Sequence, residues 1–300
     1  MLLDFNQDWT VKKSDEGSVH VTLPHDTMLI EQRYANCRNG VQSGYFPGGK
    51  YTYEKQFTID RNDIGKFITL LFEGVYRNAT VLVNGKETAY HSYGYTEFTV
   101  DISDLVRAGE NVVTVRVDNS LVPNCRYYSG SGIYRPVSLL IQDRVHITEV
   151  TIKTLSYAPA IIEVSANASE QVPLTVEISD GQQLVAKGSV GRFEIPNANL
   201  WSAETPHLYF CTVSCGTDNQ TVRFGIRKLE WSAKTGLLIN GQETLLRGGC
   251  IHHDNGVLGA CGFSDAEYRR VKILKEQGFN ALRMAHNPAS RAMLDACDEL

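Results

Sequence analysis

The feature that most limits the fold is a switch in hydrophobic period late in the chain. Up to about residue 225 the apolar positions follow the two-residue period of strands; beyond residue 229 short apolar runs alternate with helical stripes. Residues 51–59 (YTYEKQFTI) alternate and are rich in aromatic and β-branched side chains, and residues 67–72 (FITLLF) form a short apolar run. Residues 79–83 (ATVLV) lead into Asn84-Gly85, a pair that tolerates positive φ and so predicts a tight hairpin. Residues 97–102, 111–117 and 137–141 continue the series. Strands at this spacing, with Gly, Asn and Asp between them, predict an antiparallel sandwich. A boundary falls near residues 142–145, and five shorter strands follow at 145–154, 161–166, 174–179, 208–215 and 220–226. They span about 85 residues, the size of a small immunoglobulin-like sandwich.

The last part reads differently. Residues 237–239, Asn240-Gly241 and residues 244–247 predict another hairpin, and residues 245–251 a buried strand. Ser264-Asp265-Ala266-Glu267 has a capping pattern, with Ser264 at the N-cap and Glu267 at N3. In the helix that follows, Tyr268, Val271, Leu274 and Lys275 share a face, and Gly278 ends it. Residues 279–284 then predict a strand, and residues 290–300 begin a second helix. Strand–helix–strand–helix is the start of a parallel α/β unit. Two such units leave the faces of a parallel sheet uncovered. Either the polypeptide continues past Leu300, or its tail packs in some other way.

Composition excludes some partners. The chain has 300 residues, with 34 acidic and 29 basic side chains and a formal charge of −5. That balance speaks against nucleic acid or an anionic membrane as its main partner. No apolar stretch reaches the ~18 residues of a bilayer span. The opening MLLDFNQDWT has no basic region before its apolar residues, so no signal peptide is read and a cytoplasmic location is expected. Seven cysteines, none in CxxC spacing, give no disulfide framework and no zinc site.

Asn6 to Trp9, Leu23-Pro24-His25-Asp26, Tyr45-Phe46-Pro47-Gly48-Gly49, Glu73-Gly74-Val75 and Val83-Asn84-Gly85 resemble segments of glycoside hydrolase family 2, the β-galactosidase and β-glucuronidase group. The most specific in the first domain is Tyr128-Ser129-Gly130-Ser131-Gly132-Ile133-Tyr134-Arg135. Leu200-Trp201-Ser202, Pro206-His207-Leu208-Tyr209 and Phe224-Gly225-Ile226-Arg227 are similar to the family's second domain. Arg247 to Asp254 (RGGCIHHD) and Asn280 to Pro288 (NALRMAHNP), followed by Cys297-Asp298-Glu299, are similar to the first two strands of its barrel. The resemblance implies an all-β jelly-roll sandwich (residues 1–143), an immunoglobulin-like β-sandwich (144–228) and the truncated start of a (β/α)8 barrel (229–300). It also implies a parent enzyme that cleaves terminal β-glycosides with retention, β-galactosides first, with β-glucuronides or β-mannosides as alternatives.

Retention uses two carboxyl groups about 5–5.5 Å apart. In the family both are glutamates on later barrel strands, so the resemblance implies no catalytic residue among these 300 and no glycoside hydrolysis by this chain alone. What remains is substrate positioning. His252 and His286 end the two barrel strands, whose ends share a face, and a neutral imidazole both donates to and accepts from sugar hydroxyls. The resemblance places both in the pocket for the terminal sugar, pairs Arg283 with the absent nucleophile, and brings the loop of Asn124, Arg126 and Tyr128 toward the pocket. An acidic residue stands near that loop in the best-known β-galactosidases; here there is none. Neighbouring His252 and His253 point to opposite faces of a strand and chelate one ion poorly, so no metal site is expected and His253 is read as structural. No cofactor is required, although a monovalent or divalent cation in the full enzyme stays open. The expected partner is a carbohydrate; a homo-oligomer is allowed but not dictated. Trp9, Trp201 and Trp231 are read as core or packing residues, and Cys211 and Cys215 as small buried side chains on one strand face. A non-catalytic carbohydrate-binding or scaffolding protein is the rival reading, and a poorly soluble structural fragment the third.

Overall fold

A computed structural model describes residues 1–13 and 17–300. The chain forms two compact units: residues 1–141 with 250–270 and 283–294, and residues 142–249 with 271–282 and 295–300.

The first unit is built on two antiparallel sheets. The larger runs Val19–Val21, Trp9–Lys13, Lys50–Ile59, Gly109–Asp118, Ala79–Val83, Lys86–His91 in spatial order. The smaller runs Leu2–Asp4, Val137–Gln142, Phe67–Phe72, Phe98–Asp101. Alternation decides which side chains fill the core. In Gly109–Asp118 the residues Asn111, Val113, Val115 and Val117 are buried and the intervening ones are not. In register, Tyr53 faces Val115, which in turn faces Val81. Phe67–Phe72 is buried on both faces, which is why its sequence does not alternate. Asn84 and Gly85 adopt φ of 49° and 83°, as a type I′ turn requires. Asn84 also locks the turn in place, accepting from Val112 N–H and donating to Asn111 Oδ1, each at 2.9 Å.

The second unit carries a sandwich of Ile147–Tyr157, Ala160–Ala168 and Gly191–Glu194 against Gln183–Ser189, Thr175–Asp180, Tyr209–Cys215 and Asp218–Phe224. Ile162, Ile178, Tyr209, Cys211 and Val213 are central to its core. Cys211 and Cys215 share the buried face of their strand, as their spacing predicts, and burial pushes the Cys211 thiol up to about 11. The sequence reading passed over Gln183–Ser189 and Gly191–Glu194, where polar residues and glycines blur the period. Trp201 is 9% exposed; its indole N–H donates to the Asp298 carbonyl at 2.8 Å and Arg227 lies over its ring.

The strand–helix–strand–helix order is present: Gly248–Ile251, helix α1 (Ser264–Glu276), Ala281–Met284 and helix α2 (Arg291–Glu299). Details depart from expectation. The segment expected as a buried strand from residue 245 begins only at Gly248, and Leu245 and Leu246 are 76% and 57% exposed. Its sheet has only two strands, too few to cover its own faces. The second hairpin strand, expected at residues 244–247, falls instead at Gln242–Glu243. Ser264 is the first helical residue rather than the N-cap: the Glu267 N–H bonds the Phe263 carbonyl, and the Glu267 side chain turns inward. Trp231 is 79% exposed, not packed, because it lies on an outer strand of a small three-stranded sheet. No helix among the described residues is long and apolar enough to cross a membrane.

Candidate functional site

The first unit holds an open cleft of about 300 Å³ lined by Tyr76, Arg77, Tyr93, Tyr95, residues 124–127, His286 and Asn287. Three segments that support it are fastened to one buried carboxylate. Asp26 is 1% exposed and accepts four hydrogen bonds: from the N–H groups of Met28 (3.0 Å) and Ser131 (2.9 Å) on Oδ1, and from the Tyr128 hydroxyl (2.7 Å) and Ala260 N–H (2.9 Å) on Oδ2. A buried carboxylate is tolerable only when its lone pairs are filled in this way. Asp26 thereby joins the segment after Pro24, the 128–131 loop and the loop after His252. The close approach requires Gly130, whose φ is 68° and whose added Cβ would strike Ala260 and the Asp26 carboxylate.

The rest of the SGSGIYR motif holds loops. Buried Tyr134 donates to the Gly94 carbonyl at 2.8 Å. Arg135, 3% exposed, donates to the carbonyls of Tyr95 (3.2 Å) and Pro288 (2.9 Å) and lies over the Tyr134 ring. Those bonds fix the 93–95 loop and the turn that carries His286 and Asn287. In α1, Glu267 is buried and pairs with Arg270 at 3.3 Å, and Arg270 donates to the His252 carbonyl at 2.7 Å. Burial raises the Glu267 carboxyl; Arg270 and Arg135 oppose that rise. Glu267, which sequence spacing assigned to a cap, therefore works with Arg270 to anchor the backbone of His252, a candidate sugar ligand.

His252 directly follows the first of the two strands, and His286 lies two residues past the second. Their rings are 5.6 Å apart, and Tyr127 sits 4.5 Å from His252 and 6.1 Å from His286. Arg283 is exposed, not buried; its guanidinium lies 3.4 Å from His286 Nδ1 and 3.4 Å from Cys250 Sγ. Desolvation, then the guanidiniums of Arg126 and Arg283 and the ring of His252, hold His286 below the ordinary imidazole range. Its neutral form is thus favoured, the form able to accept from a hydroxyl. Asn124 lines the cleft with both ends of its amide engaged: Tyr76 donates to Oδ1 at 2.6 Å, and Nδ2 donates to Asn119. Its evident job is to hold the loop that presents Arg126 and Tyr127. His253 points inward, 3.0 Å from the Ser129 carbonyl, and burial lowers its pKa.

Sequence reasoning assigned no role to Tyr93, Tyr127, Asn287 or Arg77. Tyr93 donates to Asn287 at 2.5 Å and Asn287 donates to Tyr127, closing a polar chain across the cleft floor. The signal was the density of tyrosines beside glycine in SYGYT and RYYSG: aromatic rings with polar tips on tightly turned backbone suit one wet and one apolar surface. Among the described residues no group of three or more His, Cys, Asp or Glu is arranged to hold a metal ion.

A jelly-roll-type sandwich, an immunoglobulin-like sandwich and paired barrel-type strands ending in histidines place the chain in one class of multidomain proteins. Comparison identifies which one. Residues 40–143 match the sugar binding domain of glycosyl hydrolases family 2, residues 138–227 a further model described as glycosyl hydrolases family 2, and residues 232–300 the family's TIM barrel domain. The chain belongs to glycosyl hydrolases family 2. It is 32% identical to a β-galactosidase (BoGH2A) of Bacteroides ovatus across 99% of its own length and 40% of that protein's. It is 30% identical to a β-glucuronidase of Bacteroides fragilis, across 98% of its own length and 47% of the relative's. The crystal structure of a family member from Bacteroides cellulosilyticus superposes with a TM-score of 0.93 at 36% identity, covering 100% of this chain and 44% of that one. The chain thus spans less than half the length of each of these relatives.

Proposed function

We propose that these residues form the substrate-positioning part of a retaining exo-glycosidase for terminal β-glycosides, β-galactosides first. The observation that carries this is the convergence of His252, His286 and Tyr127, held by Asp26, Arg135 and Arg270, beside a cleft open to solvent. The two imidazoles and the Asn287–Tyr127–Tyr93 chain supply donors and acceptors for sugar hydroxyls. Arg283 supplies a fixed cation, which would keep a neighbouring carboxylate ionised. None of the residues lining the cleft is a carboxylate, whereas retention needs two. The bond-breaking pair in this proposal therefore comes from other barrel strands, and the present residues alone bind without hydrolysing. No step of this chemistry calls for a cofactor. A cytoplasmic location is included in the proposal, and the lack of CxxC spacing among the seven cysteines suits it.

The test is hydrolysis of a nitrophenyl glycoside panel by a protein in which these residues are joined to a full family barrel. His252→Ala and His286→Ala should each lower kcat/KM for the preferred glycoside by about 100-fold, the scale of a lost positioning contact. Unchanged kcat/KM in both would remove the reading. A β-glucuronide or β-mannoside as best substrate would move it within the family. The carboxylate-free cleft also suits a purely sugar-binding module. That second reading gains if the joined protein binds saccharides in calorimetry but turns none over.

A further inference from the structure

Two arginines hold the ends of the two barrel-type strands through main-chain carbonyls. Arg270 donates to His252 at 2.7 Å, and Arg135 to Pro288 at 2.9 Å, two residues past His286. Arg135 is buried, and the Arg270 side chain is 15% exposed. A guanidinium keeps its proton, and a carbonyl accepts from it without neutralising it. Both are therefore permanent charges taken largely out of water, which is costly without a counter-charge. One acid stands near both. The Glu267 side chain is 4% exposed and lies 3.3 Å from Arg270. With Arg135 it lines a cavity of about 20 Å³ that His252, His253, Tyr134 and Asn287 also face, and no other described residue of that lining is acidic. Arg270, and then Arg135, favour its charged form against burial. Glu97 also senses Arg135, but it is half exposed and paired through two nitrogens with Arg291. Asp265, on the same helix as Glu267, is exposed. Burial keeps His253 neutral and raises the Tyr134 hydroxyl, which donates to the Gly94 carbonyl.

We propose that Glu267 is a positioning residue for sugar binding, the shared counter-charge that keeps Arg270 on the His252 carbonyl and Arg135 on the Pro288 carbonyl. This rests on the sugar-positioning reading above and extends it to a side chain outside the cleft lining. The two imidazoles stand 5.6 Å apart, a spacing set by where the two strand ends are pinned. With the carboxylate ionised, each guanidinium is held by opposite charge as well as by its carbonyl. With it neutral, two like charges share a buried space. Arg270, the less buried of the two, then turns toward water first and frees the His252 end. Asp26 fastens loops directly, through N–H groups and a hydroxyl. Glu267 reaches the strand ends only through charged side chains. The imidazoles are therefore sensitive to the charge at position 267 more than to its shape.

The experiment measures kcat/KM on the preferred nitrophenyl glycoside, with these residues joined to a full family barrel. Glu267→Gln keeps the volume and removes the charge; it should lower kcat/KM about tenfold, the scale of a small displacement of a binding group. In the His252→Ala background it should cost only about threefold, because one of its two routes is gone. A mere folding defect would cost the same in both. The parent's advantage over Glu267→Gln should also shrink from about pH 7.5 to 5, since the protonated acid and the amide are electrically alike. Other titrations cancel in that ratio, and burial, which raises this carboxyl, brings the change into range. Glu267→Asp, which restores the charge, should recover part of the loss. Arg270→Gln breaks the pair from its other side and should show the same dependence on His252. It carries the test if near-UV circular dichroism finds Glu267→Gln unfolded. A Glu267→Gln loss under about twofold, an equal loss in both backgrounds, or a ratio flat across pH overturns the inference, as does failure of both glutamine variants to fold. If His252→Ala and His286→Ala cost activity while Glu267→Gln does not, the inference alone falls. If the histidine variants are silent, the sugar-positioning reading falls with it.

Discussion

Replacing Asp26 is the most direct test of how the cleft is assembled. Alanine there strands four donors at once: three backbone N–H groups and the Tyr128 hydroxyl. A buried donor left without a partner costs about 1–3 kcal/mol. Water entering the vacated space recovers part of that, so Asp26→Ala should destabilise the first unit by about 4 kcal/mol. Asparagine keeps the volume and one oxygen. Its amide can serve Met28 and Ser131 through the oxygen but opposes the Ala260 N–H with N–H of its own, for a loss of about 2 kcal/mol. Tyr128→Phe strands nothing on the carboxylate that Ala260 does not still occupy, and about 1 kcal/mol follows. With a urea slope of about 2 kcal/mol/M, those losses move the midpoint by about 2, 1 and 0.5 M. Amide exchange resolves the site: Ser131 and Ala260 should lose protection together in Asp26→Ala, while core amides such as Val115 follow only the global change. An alanine variant no less stable than the asparagine variant, or one in which Ala260 alone is exposed, would refute the reasoning that one carboxylate fastens all three segments.

Other expectations follow from particular contacts. Arg126→Gln removes one of the charges that depress His286, so the His286 pKa should rise in an NMR titration; a fall or no change would mean that Arg126 does not face the ring. His25 and His253 are both lowered by burial and stay neutral when folded. The unfolded chain protonates them near pH ~6.5, so their contribution is complete above that value and is lost as pH falls through it toward the folded pKa. Urea midpoints between pH 7.5 and 5 should therefore decline, and His253→Asn should flatten the decline; a steeper slope in that variant contradicts the assignment. In the second unit, Trp201→Phe should cost about 1–2 kcal/mol by orphaning the Asp298 carbonyl. Arg223→Ala breaks solvent-exposed pairs to Asp295 and Glu299 and should cost under about 1 kcal/mol. The reverse order in thermal melts would show that the surface pairs, not the indole, hold residues 295–299 within that unit.

The strands were readable because burial in a sandwich repeats every second residue, and Gly109–Asp118 and Tyr209–Cys215 obey that rule without exception. Asn84-Gly85 and Asn240-Gly241 were readable because few other pairs accept two positive φ values in succession. Where polar edge strands or very short strands carry no such signature, as at Gln183–Ser189 and Gln242–Glu243, pattern reading falters. His252, His286 and Arg283 were found through strand-end logic joined to a family resemblance. Asp26 was quoted as part of a motif with its duty unseen, because donors up to 234 positions away from it leave no local mark. Glu267 was misjudged for the opposite reason: its local spacing fits a capping box, and only tertiary packing turns it toward Arg270.

The loop over the cleft is tied at two places, by Asn124 to Asn119 and Tyr76, and by Tyr127 to Asn287. Between those knots stand only Cys125, itself 3.9 Å from the Tyr95 hydroxyl, and Arg126. Exchange at Arg126 leaves both knots in place, so a single letter can be respelt and the face shown to the cleft rewritten while the sandwich beneath stays as it is.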